Sequence, residues 1–271
     1  MTTRPRLFVT LEGYAVEGGF DRTGGPMTCY VPRIALGRQA GPGTTDDLWR
    51  NYEEVLGFVP TLGFDGVRLS VEWARVEPRQ GHVDDEALTR YRDVIRFARS
   101  LGLDVTIVLV DAVWPSWLGQ EAWLLPWVVP HVLAHAHRVV TAFESDATGV
   151  VVFAQPHELV SRGFLHAAAP PWRRGAQEEA RFAAAQIAHI VAALQGDPDV
   201  GPRLVSSSAT FDLARGPEDL IETRNAVNVD ELYVRSLLRG SGPTGVSEGL
   251  LVQRGEKWSV GASPALLGAL R

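Results

Sequence analysis

The sequence predicts an α/β fold in which parallel strands alternate with helices and close as a (β/α)8 barrel. Three observations carry this expectation. The chain has 271 residues, the size of one such barrel. Short runs such as VTIVLV and GVVVF are apolar and β-branched throughout, as suits strands buried on both faces of a parallel sheet. Amphipathic stretches with readable ends separate the runs, and repeated strand–helix alternation implies parallel pairing through right-handed crossovers.

Taken in order, residues 7–11 (LFVTL) read as strand 1 and residues 66–71 (GVRLSV) as strand 2. Residues 105–110 (VTIVLV) read as strand 3, 149–153 (GVVVF) as strand 4 and 204–208 (LVSSS) as strand 5. Thr45 or Asp46 caps a helix reaching about residue 62, which Gly63 stops. Asp84 or Asp85 opens a second helix that closes at Gly102, with Leu88, Tyr91, Ile95 and Ala98 on one face. Residues 130–143, 177–194 and 218–238 read as further helices, and Ser263-Pro264 as the cap and first position of a final short one.

The stretch after Gly240 must supply strands 6 to 8 if the barrel closes, with residues 246–253 and 257–260 as two of them. A closed barrel is expected there, because an open parallel edge would expose unpaired backbone. The expected architecture is therefore a single domain over residues 1–271, abbreviated in its C-terminal third. No internal repeat, low-complexity segment or linker interrupts it, and residues 37–45 read as a flexible loop.

Composition narrows the function classes. Hydrophobic content of 45% and charged content of 21% are ordinary for a globular domain. A formal net charge of −6 without a long basic run argues against nucleic acid as a partner. Cys29 is the one cysteine, so no intrachain disulfide can form. The opening MTTRPRLFVTLEGY lacks the apolar core of a signal peptide, no stretch reads as a membrane span, and a cytoplasmic location is the expectation. The oligomeric state is open.

Two patterns suggest cofactors and are set aside. His131 and His135 have zinc-ligand spacing on a helix, yet no third ligand follows at a recognised interval, so a solvated helix face is expected. GGFDRTGGP is glycine-rich but lacks a phosphate-loop lysine and a strand–helix context. No metal or cofactor is expected.

Active sites of such barrels lie at the C-terminal ends of the strands. There the sequence places Glu12, Glu72, Asp111, Gln155, His157 and Glu158, then Ser206, Ser208 and Thr210 on strand 5. Trp114, Trp117 and Trp123 would supply apolar walls. Carboxylates, one histidine and aromatic faces suit acid/base chemistry on a small molecule, or simple binding. The bland alternative is structural: Glu12 or Glu17 pairs Arg68 or Arg22, Asp111 caps a loop helix, and His157 and Glu158 face solvent.

Around strand 2 the chain reads LGFDGVRLSVEWARVEP. This resembles the family 1 glycoside hydrolases, in which a helix ending L-G-F precedes Y-R-F-S-I-S-W-S-R-I-x-P; Arg68, Ser70, Trp73, Arg75 and Pro78 match. GHVDDEALTRYRDVIRFARSLGLDVTIVLV, YAVEGGFDRTGGPM, GFLHAAAPP and ELYVRSLLRG resemble further family motifs in the same order, so the resemblance spans roughly residues 5–240. It implies a (β/α)8 TIM barrel and a sugar-like small-molecule ligand.

It also implies a pair of catalytic carboxylates about 5–5.5 Å apart, an acid/base and a nucleophile. Here the sequence departs from the family. The acid/base of N-E-P aligns with Gln155, and a carboxamide has no proton to give near neutral pH. Loss of general acid catalysis costs ~10²–10⁴-fold. The neighbouring sugar-binding Asn aligns with Ala154, the Gln of Y-Q-I-E-G with Ala15, and the His after strand 3 falls near Asp111. No T-E-N-G nucleophile motif occurs, and Glu248 is the one remnant that suggests itself. Arg68, Trp73 and Trp123 do match the family pattern. The expected function is thus acid/base chemistry on a small organic or glycosylated molecule, with Asp111, Glu158, His157 and Gln155 as catalytic candidates. Glu17, Arg68, Glu72, Trp114, Trp123, Ser206 and Ser208 are the expected substrate contacts. Two alternatives stand beside it: a non-catalytic relative that binds a sugar-like ligand or a partner, and a residual β-glycosidase working with Gln155.

Overall fold

The computed structural model describes residues 6–20, 24–43, 46–205, 251–254 and 257–260. Ser206, Ser208, Thr210, Glu248, the helix expected over 218–238 and the Ser263-Pro264 cap lie outside the described residues. The chain divides into two compact units. The first holds Met1–Ala122, Pro130–Ala154 and Asp197–Ser207; the second holds Trp123–Val129, Gln155–Gly196 and Ser208–Arg271.

The first unit is built on a four-stranded parallel sheet in the order β1-β2-β3-β4. Its strands are β1 (Phe8–Leu11), β2 (Gly66–Ser70), β3 (Asp104–Val110) and β4 (Gly149–Phe153). The register pairs Leu11 with Leu69, Ser70 with Val108 and Val110 with Phe153, so all four C-terminal ends finish on one side. Every residue of β4 is buried, as the run GVVVF predicts for a strand covered on both faces. At Gly66 a Cβ would stand 2.6 Å from the Asp104 carbonyl and 2.4 Å from the Phe8 ring, so only glycine lets β1, β2 and β3 approach there. The fifth strand begins as expected: Leu204 bridges Val150 in parallel, and the Val205 N–H donates to the Val150 carbonyl at 2.8 Å.

The helix between β1 and β2, α1 (Leu48–Thr61), starts later than the Thr45 or Asp46 cap predicts. Asp47 holds the N-cap position at φ 48°, ψ 43° and its side chain makes no cap bond. Capping side chains reach the first amides from extended backbone, which Asp47 has left. Helix α2 (Asp85–Ser100) follows expectation, with Asp84 Oδ1 accepting from the Ala87 N–H at 3.0 Å and Leu88, Tyr91, Ile95 and Ala98 buried. Full burial of a side chain such as Ile95 contributes ~1.5–3 kcal/mol, so this face anchors the loop after β2. Helix α3 (Val128–Phe143) precedes β4.

The second unit contains α4 (Gln177–Gln195), whose alanine-rich buried face packs on the turns Pro156–Val160 and Ser161–Leu165. It also contains β5 (Leu251–Arg254) and β6 (Lys257–Val260). These correct an expectation. They were to be parallel barrel strands, but they pair antiparallel in a two-stranded sheet of their own. Two residues separate them, and a parallel pair needs a crossover of a dozen or more.

Candidate functional site

In a parallel sheet every strand delivers its following residue to the same rim, and β1, β2 and β3 deliver Glu12, Val71 and Asp111. Two side chains from within β2 join them, because Arg68 and Ser70 are two residues apart and share a face. Ser70 Oγ donates a hydrogen bond to Asp111 Oδ2. Burial raises the Asp111 carboxyl above the usual aspartate range, while Ser70, the Ala112 N–H and Arg68 hold it back. Arg68 donates from Nη2 to the Ala154 carbonyl at 2.8 Å rather than to a carboxylate. Burial lowers its pKa, and the fields of Asp111 and Glu12 oppose that. Among the described residues, the rim therefore holds the Arg68 guanidinium within the fields of two carboxylates, with a serine as the donor to one of them.

Glu17 and Glu72, expected as substrate contacts, are 1% and 2% exposed. Glu17 is held by Arg75 Nε at 2.5 Å and the Tyr91 hydroxyl at 2.8 Å, and Arg75 also donates to the Gly18 carbonyl. The Arg75 guanidinium lies between the Phe20 and Trp49 rings, 4.4 and 4.2 Å from their centroids. A cavity of about 530 Å³ opens beside it, lined also by Trp49, Arg50, Asp84 and Arg90. Trp114, expected as a wall, is a core residue whose Nε1 donates to the Gly119 carbonyl at 2.7 Å. Trp123 is fully buried in the second unit.

Gln155, His157 and Glu158 also belong to the second unit and sit on the turn opened by Pro156. Oriented to satisfy its amide, Gln155 donates to both Glu158 oxygens at 3.2 and 3.0 Å. Glu158 meets Arg162 at 3.7 Å, with both side chains about half exposed. Burial lowers the His157 pKa, opposed by Glu158.

The histidine run divides. His135 is buried, stacks on Trp73 at 4.8 Å, and has Nε2 3.2 Å from the Leu109 carbonyl. Burial, reinforced by Arg138, pushes its pKa down to about 3. It is a core residue rather than part of the solvated face expected for the run. His131 lies against the Trp117 ring and Gln80 instead. His137 Nε2 meets Asp197 at 2.8 Å, and Asp199 brings a carboxylate within 4.8 Å of both.

Sequence reasoning missed three participants. Ser70 was legible, since it shares the face of Arg68 two residues away. Tyr91 reads as one more apolar-face residue of α2, and nothing local reveals that its hydroxyl bridges Glu17 and the Glu72 N–H. Arg75 matches a family motif, but its pairing with Glu17 spans 58 positions.

No family model matches the chain. It is 30% identical over 152 residues to β-glucosidase 5 of Oryza sativa subsp. japonica, a match covering 54% of this chain and 30% of that protein. To the coniferin β-glucosidase of Pinus contorta it is 25% identical over 169 residues, covering 60% of this chain and 33% of the relative. The matched stretch thus spans about a third of these curated relatives. Among solved structures, the family 1 β-glucosidase of Thermotoga maritima superposes with a TM-score of 0.72 at 18% identity, covering 88% of this chain and 57% of that one. A rice β-glucosidase gives 0.71 at 17%, covering 88% and 56%. The shared fold is the α/β barrel. No helix among the described residues is long and apolar enough to cross a membrane.

Proposed function

We propose, for a chain that is a diverged relative of the family 1 β-glucosidases, acid/base chemistry on a small organic or glycosylated molecule at the rim formed by β1, β2 and β3. The observation that carries this reading is Asp111. Its carboxyl is largely buried, oriented by Ser70 and faced by Arg68. A carboxylate raised by burial is a better base than a solvated one, and a positioned base contributes ~10²–10⁴-fold. Arg68 supplies positive charge where an oxyanion on the ligand would be stabilised. Relatives named as β-glucosidases support a sugar-like ligand. Gln155 removes the family's proton donor, which weighs against standard β-glucoside hydrolysis.

The test is a panel of aryl glycosides and their aglycones, read by product formation and by ligand-dependent melting shifts, with Asp111→Asn as the matched variant. Turnover or binding that Asp111→Asn abolishes supports the reading. Turnover of an activated aryl glucoside, rescued by azide and indifferent to Asp111→Asn, would assign residual glycosidase activity instead. A melting shift without product would assign a binding role.

A further inference from the structure

Behind the rim lies a buried pair of carboxyl groups that the proposed chemistry does not use. A Cβ placed on Gly13 would stand 2.6 Å from Glu72 Oε1 and 2.9 Å from Glu17 Oε1, so the two groups converge on one glycine notch. Glu72 Oε1 accepts the Tyr14 N–H at 3.0 Å, and its Oε2 is buried with no hydrogen-bond partner among the described residues. The ionisable groups that face Glu72 come from each element packed around it. Among the described residues they are Glu17 from the turn after β1, Cys29 from the loop leading to α1, Arg75 from the turn after β2, Tyr91 from α2 and Asp111 from the end of β3. Arg75 is the one cation among them, and it is already committed to Glu17 and the Gly18 carbonyl. Two ionised glutamates would leave a buried negative charge without compensation, which proteins avoid by keeping one group protonated.

We propose that Glu72 is held as a neutral carboxylic acid and works as a pH-operated latch, whose proton keeps the Gly13–Val16 turn docked on the end of β2. Loss of that proton sets Glu72 against the Glu17 and Asp111 carboxylates, whose repulsion exceeds the pull of the Tyr14 N–H on the charged form. The turn yields first, because it is four residues long, whereas β2 is hydrogen-bonded on both edges. Glu12 is the N-cap of the turn and acts on Arg68, so opening the latch changes the charge at the rim. Burial, then Glu17 and Asp111, push Glu72 well above the ordinary glutamate range, which keeps the latch closed at acidic pH. With the folded pKa raised, the stabilisation is complete below the unfolded value and is lost as pH rises toward the folded one. No ligand enters this inference, so it stands apart from the acid/base reading of Asp111.

The test uses the full chain without ligand. Infrared spectroscopy of the wild type at neutral pH should show a protonated carboxyl band that is lost in Glu72→Gln. Between the two pKa values the folding equilibrium constant of the wild type should fall about tenfold per pH unit, and Glu72→Gln should flatten that slope. Over the same interval, hydrogen exchange at residues 14–17 should accelerate in the wild type beyond the change seen in Glu72→Gln. Absence of the band in the wild type overturns the proposal, as does its survival in Glu72→Gln. Unchanged protection at residues 14–17 while the band bleaches also overturns it. Should Glu72→Gln fail to fold, the wild type alone decides: bleaching and opening must coincide in pH.

Discussion

Arg68 donates from Nη2 to the Ala154 carbonyl at 2.8 Å, which ties the interior of β2 to the chain leaving β4. The bond crosses 86 positions of sequence and places a cation where Asp111 and Glu12 both feel it. An ion pair had been the simplest expectation for a charge at a barrel mouth.

Arg68→Met is expected to destabilise the fold by about 1.5–3 kcal/mol, the range for a hydrogen bond from a charged donor. It should also raise the Asp111 pKa further, because Arg68 is one of the groups that favour its ionised form. Urea denaturation reads the first effect and carboxyl-carbon NMR titration the second. An unmoved Asp111 titration would mean that the two groups are electrostatically independent.

Ser70→Ala should leave the fold intact and shift any activity that needs ionised Asp111 to higher pH. The hydroxyl donates to the charged form, so its loss raises the pKa and moves the rising limb of the pH profile upward. The profile measured on the best ligand of the panel checks this; a downward shift would contradict it.

Glu77 gathers three donors: Trp73 Nε1 at 3.1 Å, Arg138 at 3.0 Å and the Gly81 N–H at 2.8 Å. It is buried and joins α3 to the loop after β2. Glu77→Ala strands these donors and should cost about 3–5 kcal/mol, the range for breaking a buried pair. Glu77→Gln, which keeps an acceptor, should cost less. Equal losses in denaturant melts would show that the carboxylate charge, not the acceptor geometry, carries the contribution.

His135 should remain neutral through the physiological range, since burial takes its pKa down to about 3. The unfolded imidazole protonates near 6.5, so stability should fall as pH drops from about 6.5 toward 3, by about tenfold in the folding equilibrium constant per unit. His135→Gln should flatten that acid limb. Ring NMR signals that titrate near neutrality would refute the buried-neutral assignment.

Much of the fold was legible in the chain. The runs at β3 and β4 announced themselves through largely apolar, β-branched composition, and Asp84, Gly63 and Gly102 marked helix ends where capping chemistry or positive φ requires them. The first turn of α1 was misplaced because Asp47 takes a left-handed conformation that composition does not reveal. The pairing of β5 with β6 was misread because apolar alternation identifies a strand but not its direction; their two-residue separation carried the missing information.

The sequence by itself determined the α/β order of elements, the period-two placement of Arg68 and Ser70 on one face, and the absence of a transferable proton at Gln155. These are local properties of residue type and spacing. Only the tertiary structure decided which carboxylates face the rim and which are sealed away. Glu17, Glu72 and Asp111 look alike in the chain, yet Tyr91 and Arg75 bury the first two while Ser70 orients the third. A carboxyl group's charge state depends on the solvent, cations and donors that surround it, and here those arrive from segments dozens of residues away.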